Sequence, residues 1–177
     1  MIQDKFNHFL KTRQNLIFMY KKGDLSKSEY IEENYNLINS LGIKPFRKID
    51  NVKKAIYNYQ YYNVLAKYYR KLASQTPPHK VTHLEYAKKS DYFYDKKDKV
   101  TESLLKLLDF KGVEAYFVKV SSPNLKKKLF EIVFTELDGI VLHSKNERIL
   151  EMLRYEGVFK DDTVRKSVID NYVNQKY

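Results

Sequence analysis

The chain of 177 residues is long enough for a domain with a substantial core, and its 43% hydrophobic and 15% aromatic residues exclude a disordered chain. It has no cysteine, which excludes disulfides, a thiol nucleophile, thiolate zinc sites and iron–sulfur clusters. Its formal net charge is +11. No apolar stretch approaches the roughly 18 residues of a membrane span, and no secretion signal is visible, so we expect a cytoplasmic protein without membrane contacts.

Four helices are predicted in the first part of the chain. Residues 2–41 read as an antiparallel helical hairpin, which is divided by Gly23-Asp24 and by a capping box at Ser26–Glu29. The third helix covers about residues 51–74, and the fourth follows Pro77-Pro78 over about residues 79–108. The predicted buried side of the fourth helix is apolar and consists of Leu84, Ala87, Phe93, Val100, Leu104 and Leu107.

The third helix is the most unusual element, because six tyrosines lie within residues 56–70. On a helical net, its plainly polar side is a single line of side chains: Lys53, Gln60, Lys67 and Lys71. A helix that is apolar around most of its circumference is one around which other elements pack. We therefore predict that residues 55–73 form the central element of the fold, with phenol rings that do not stand in solvent.

After Gly112 the pattern changes to short β-rich runs over residues 113–120, 129–135 and 140–143, with the hairpin signal Asp138-Gly139 before the last run. One or two helices, over residues 146–155 and 163–174, would cover these strands. The predicted fold class is α+β: a four-helix part followed by a small three-stranded antiparallel sheet. The predicted domains are a basic helical part, residues 1–112, and a small α+β part, residues 113–177, packed together as one co-folding unit.

The positive charge is concentrated in residues 1–76, which hold 14 basic and 6 acidic side chains. Such an excess can attract nucleic acid, but 27 Lys against 6 Arg is also what an AT-rich genome produces, and base-edge contacts favour Arg. Nucleic-acid binding is therefore an alternative function. Its basic residues would be Arg13, Lys21, Lys22, Lys53, Lys54, Lys67, Arg70 and Lys71.

A search for catalytic and metal-binding patterns favours a protein without either. His79 and His83 share a helix face, but a zinc site takes three or four ligands. The carboxylates Asp91, Asp95, Asp98 and Glu102 form a stripe that is typical of a solvated helix face. No nucleotide-binding fingerprint or nucleophile elbow is present. We expect no cofactor, no metal and no catalytic residue.

The tyrosines and amides of the third helix are the candidate binding site, because Tyr and Arg are favoured at protein-binding hot spots. The candidate residues are Asn58, Tyr62, Asn63, Lys67, Arg70, Lys71 and His143. The predicted function is a non-catalytic intracellular interaction protein, which is regulatory in one interpretation and has another protein as its partner. A small-molecule or enzymatic site lined by Asn58, Asn63, Arg70 and His143 is the second alternative.

Three segments carry a resemblance to a known family: residues 56–70, the step Val141–Ser144, and the ending at residues 166–174. Together they resemble an uncharacterised family of small Lys- and Tyr-rich cytosolic proteins from low-GC Gram-positive anaerobic bacteria, with similarity over nearly the full length. The resemblance implies a bacterial source and a single co-folding unit. It implies no activity, cofactor or catalytic residue.

Overall fold

A computed structural model describes residues 2–118, 129–134, 141–144 and 146–158. The predicted helix over residues 163–174 lies outside them. The chain divides into two compact units, and the boundary falls inside a helix between Val100 and Thr101. In chain order the elements are α1 Ile2–Lys22, α2 Lys27–Leu41, α3 Val52–Gln75, α4 Val81–Leu108, β1 Val113–Val118, β2 Leu129–Phe134, β3 Val141–Ser144 and α5 Glu147–Tyr155.

The predicted α+β class is wrong, because helices account for most of the described residues and the fold is mostly helical. Among the described residues after Gly112, the strands have six, six and four residues, whereas α1, α3 and α4 run for 21, 24 and 28 residues. Within this minor element β1 pairs with β2, and β2 pairs with β3, both antiparallel. Ala115 lies opposite Ile132, and Ile132 lies opposite Leu142.

The start and end of α2 follow from local chemistry, as predicted. Ser26 Oγ accepts a hydrogen bond from Glu29 N at 3.2 Å, and Glu29 Oε2 accepts one from Ser26 N at 2.7 Å. This capping box satisfies two amides at the start of the helix. At the other end, Gly42 takes a left-handed conformation with φ of 57°, which glycine adopts without steric cost.

The helical unit, residues 1–100, has its core along α3. Tyr57 and Tyr59 are buried, which confirms the prediction for these two phenol rings, whereas Tyr61, Tyr62, Tyr68 and Tyr69 are half-buried and keep an accessible part. The buried cluster takes its apolar side chains from α1, α2, α3 and the α2–α3 connection: Phe6, Phe9, Ile38, Ile43, Tyr57, Val64 and Leu65.

The predicted buried side of α4 is wrong at two positions. Leu84 is 54% exposed and Leu107 is 40% exposed, whereas Ser90 and Lys97 are buried. Within the helical unit, Ser90 Oγ donates a hydrogen bond to the Ala66 carbonyl of α3 at 2.9 Å. Both side chains are small and completely buried, so this contact brings the two helix backbones close together. The hydroxyl has a partner there, which removes the cost of burying it.

In the second unit, α5 contributes the buried side chains Ile149 and Leu153. Its N-cap is Asn146, whose Oδ1 accepts from Arg148 N at 2.9 Å and, more weakly, from Ile149 N at 3.4 Å. The strands contribute buried Val113, Ala115 and Leu142. Ala115 N also donates to the Val158 carbonyl at 3.1 Å, which ties β1 to the residues that follow α5.

Candidate aromatic binding surface

Eight aromatic rings from three helices of the helical unit form a continuous series of ring contacts, which we call the aromatic band. One ring comes from α2, four come from α3 and three come from α4. The members are Tyr35, Tyr61, Tyr62, Tyr68, Tyr69, Tyr86, Tyr92 and Phe93. The α3 members lie about two helical turns apart, Tyr61 and Tyr62 before Tyr68 and Tyr69, so the helical repeat aligns them on one side.

The rings of the aromatic band are stacked on one another. Tyr35 and Tyr68 lie face to face, with centroids 3.6 Å apart and an interplanar angle of 3°. Tyr69 stacks on Phe93 at 5.7 Å and 15°, and it meets Tyr35 edge-on at 6.4 Å. The two contacts of Tyr69 lie in the range in which aromatic pairs attract each other beyond simple area burial. The band is therefore an ordered surface that joins α2, α3 and α4.

The aromatic band lies over the core but remains accessible. Tyr35, Tyr61 and Phe93 pack against the buried cluster, while Tyr92 is 55% exposed. Every other ring of the band is half-buried. Two ammonium groups lie near ring centroids, Lys89 Nζ at 5.1 Å from Tyr69 and Lys96 Nζ at 5.5 Å from Tyr92. At exposed sites such cation–π contacts contribute roughly 0.5–1 kcal/mol each.

Burial raises the pKa of the phenols of Tyr61, Tyr62 and Tyr68, and neighbouring tyrosines raise it further. The same two causes raise the pKa of Tyr69 to about 12. These hydroxyls are therefore neutral at physiological pH and can donate hydrogen bonds. They are poor general bases there, because a base needs a pKa close to the working pH.

Asn58 and Lys71, two of the predicted binding residues, have structural partners in the fold. Asn58 accepts from Phe46 N at 2.8 Å through Oδ1 and donates to the Phe46 carbonyl at 2.9 Å through Nδ2. Lys71 is 8% exposed, and its Nζ contacts Glu32 Oε1 at 2.5 Å and the Ser28 carbonyl at 3.2 Å. Lys71 therefore belongs to a packed side of α3 rather than to a solvated polar line.

The other predicted site residues are divided between the two units. Tyr62 belongs to the aromatic band, whereas exposed Arg70 pairs with Asp91 at 3.5 Å and Lys67 is half-buried. Asn63 is buried, and its Oδ1 has no hydrogen-bond partner among the described residues. His143 lies on β3 in the second unit, opposite Glu131 in the strand pairing. A binding role for these residues stays a prediction.

Sequence reasoning missed the contributions of Tyr35 and Tyr86 because, apart from His143, it placed the candidate site on the third helix. A usable signal was present: both lie on helices predicted to pack beside the third helix. Among the described residues, no group of three or more His, Asp or Glu side chains could hold a metal ion. In the same part of the chain, no helix is both long and apolar enough to cross a membrane.

The sequence was also compared with known families, curated proteins and solved structures. The profile of a family of unknown function (DUF6648) matches residues 1–177, so the chain belongs to that family. No curated protein and no solved structure gives a significant match.

Proposed function

We propose that this member of the family of unknown function is a non-catalytic binding protein, whose aromatic band docks a protein partner. The observation that carries the proposal is the accessible, mutually stacked set of rings on α2, α3 and α4. Tyrosine offers large amphipathic contact area with few rotatable bonds, so little conformational entropy is lost when a partner binds. Aromatic residues are enriched at the cores of protein interfaces for this reason.

The ring arrangement favours a protein partner over a nucleic acid. Base stacking requires a free ring face, and stacking within the band reduces the number of such faces: Tyr35 and Tyr68 each cover one face of the other, and Tyr69 is stacked on both Phe93 and Tyr86. Arg70, the arginine of α3, is paired with Asp91. An acidic group beside the guanidinium also opposes binding of a phosphate backbone.

Affinity capture from nuclease-treated host lysate tests the proposal when it is run with matched variants. Tyr86→Ser and Tyr92→Ser each remove one accessible ring of the band. The control Phe18→Ser removes a ring that is 61% exposed on α1, outside the band. We expect the wild type and the control to retain the same defined partner. The two band variants should each capture at least tenfold less of that partner.

Two results would reject the proposed function. If the partner is retained equally by all four proteins, the aromatic band is not the docking surface. If capture depends on nucleic acid and disappears after nuclease treatment, the partner is a nucleic acid, with an affinity that falls steeply with salt. Circular dichroism of each variant distinguishes loss of a contact from loss of the fold.

A further inference from the structure

A buried arginine lies inside the helical unit, and its hydrogen-bond partners are not members of the aromatic band. Arg13 occupies the apolar side of α1, between the turns that carry Phe9 and Ile17, and it is only 4% exposed. The guanidinium is always protonated in proteins, so its positive charge is buried with it. Arginine is almost never buried to this extent without a partner for that charge.

The hydrogen-bond partners of Arg13 are all neutral. Its Nε donates to Gln60 Oε1 of α3 at 2.6 Å, while Nη1 donates to Asn34 Oδ1 at 2.6 Å and to the Tyr30 hydroxyl at 3.2 Å. Asn34 is held in this orientation because its Nδ2 donates to the Tyr30 carbonyl at 2.7 Å. Three helices therefore hold the guanidinium in one position without neutralising it.

The other two buried cations of the helical unit differ from Arg13. Lys71 has the carboxylate of Glu32 at 2.5 Å, and Lys97 has that of Asp98 at 3.8 Å. No acidic side chain of the described residues lies within salt-bridge distance of Arg13. A buried charge without a counter-charge is costly, and a bound anion would remove that cost.

The guanidinium also has unused donors that could hold such an anion. Arginine has five N–H groups, and the three hydrogen bonds of Arg13 use Nε and Nη1. None of the hydrogen bonds among the described residues uses Nη2, which carries two N–H groups. Nη2 is also not among the fully buried, unpartnered side-chain atoms of these residues, so it is the part of the guanidinium that an anion can reach from solvent. The excess of basic residues in residues 1–76 adds a positive field that attracts anions.

We propose that Arg13 anchors an oxyanion site, in which Nη2 donates to a phosphate or carboxylate group and the buried charge is neutralised by it. Charge-assisted hydrogen bonds of this kind are about twice as strong as neutral ones. Gln60, Asn34 and Tyr30 act as positioning residues, because their neutral acceptors fix the guanidinium while leaving its charge for the ligand. The site is independent of partner docking at the aromatic band.

Thermal unfolding of the full chain tests the site. The wild type is titrated with inorganic phosphate, and separately with acetate, against sodium chloride at equal ionic strength. Linkage predicts a saturable rise in Tm of about 5–10 °C when the bound anion is a hundredfold above its Kd. A response to phosphate alone identifies a phosphate site, and a response to acetate as well identifies a general oxyanion site.

Gln60→Glu provides the discriminating variant. It replaces the amide oxygen that Arg13 Nε contacts at 2.6 Å with a carboxylate, which supplies an internal counter-ion. We expect this variant to fold and its rise in Tm with added anion to be at least tenfold smaller than that of the wild type. Gln14→Glu is the matched control, because it adds the same charge at an exposed position of α1 and should respond as the wild type does.

Arg13→Lys keeps the charge but loses the planar fork, and we expect it to weaken the response to phosphate at least tenfold. The wild-type titration decides the proposal even if a variant does not fold. A wild type whose Tm follows ionic strength alone, without saturation by phosphate or acetate, overturns the site. A response that Gln60→Glu retains, or that Gln14→Glu loses equally, also overturns it, because the effect then has another origin.

Discussion

Replacing Asn58 with alanine removes the side chain that fixes the connection between α2 and α3. The amide of Asn58 bonds both backbone groups of Phe46, at 2.8 and 2.9 Å, and the side chain is 2% exposed. Each buried polar group left without a partner costs about 1–3 kcal/mol. These bonds are part-buried and the connection can admit water, so we expect the free energy of unfolding to fall by about 2–4 kcal/mol.

The same substitution should also change the ionisation of a neighbouring phenol. The ring of Phe46 lies 5.2 Å from that of Tyr57, and burial raises the pKa of Tyr57 to about 12. If Phe46 moves away when its backbone is released, Tyr57 gains water and its pKa should fall toward the ordinary value. The phenol titration therefore reports on the connection independently of global stability.

Urea unfolding followed by circular dichroism measures the stability of the Asn58→Ala variant. Asn36→Ala is the matched control, because it removes the same amide from an exposed position of α2 and should change stability by less than about 0.5 kcal/mol. If the two variants are equally stable, the bonds to Phe46 do not hold the connection. The denaturant slope is compared as well, since a changed slope would indicate unfolding in more than one step.

Two further predictions concern ionised groups of the helical unit. Glu32→Gln leaves the buried ammonium of Lys71 without its carboxylate, whereas Glu33 is exposed and serves as the control position. In urea unfolding, Glu32→Gln should therefore destabilise the protein by about 1–2 kcal/mol more than Glu33→Gln does. Equal losses of stability in the two variants would contradict this. Burial raises the pKa of Tyr57 and Tyr69 to about 12, above the unfolded value of about 10, so both favour folding while they are neutral. The contribution of these two phenols to the free energy of unfolding should therefore hold below about pH 10 and decline between about pH 10 and 12. Urea unfolding measures the stability, and tyrosinate absorbance measures the ionisation. A decline that is complete by pH 9 would show that other groups are responsible.

The helix boundaries were predictable because they depend on local sequence. The capping box at Ser26–Glu29 and the left-handed Gly42 act over a few residues, and both formed as the pattern indicated. The central position of α3 was also predictable, since its apolar residues cover most of its circumference. These features require no knowledge of which other helices pack against α3.

The packing partners were not predictable, because they depend on pairs of residues far apart in the chain. Gln60 and Lys71 looked solvated on a helical net, but Arg13 and Glu32 lie opposite them and supply partners. A polar residue can be buried wherever a partner satisfies it, and that partner is chosen by tertiary structure. The α+β class failed for a related reason: β propensity depends on context and did not fix how much of the chain is strand.

The abundance of tyrosine explains how so basic a helical unit keeps a core. Lys97 is almost completely buried, and its Nζ lies 5.7 Å from the ring centroid of Tyr59 and 5.3 Å from that of Tyr94. An aromatic face attracts a cation without adding a second charge that must be desolvated. The hydroxyl of Tyr30 serves Arg13 in a comparable way, as a neutral acceptor. Leucine or valine could fill the same space but could offer neither interaction. For Lys97 and Arg13, tyrosine therefore contributes to the electrostatics of the core as well as to its packing, whereas Lys71 relies on the carboxylate of Glu32.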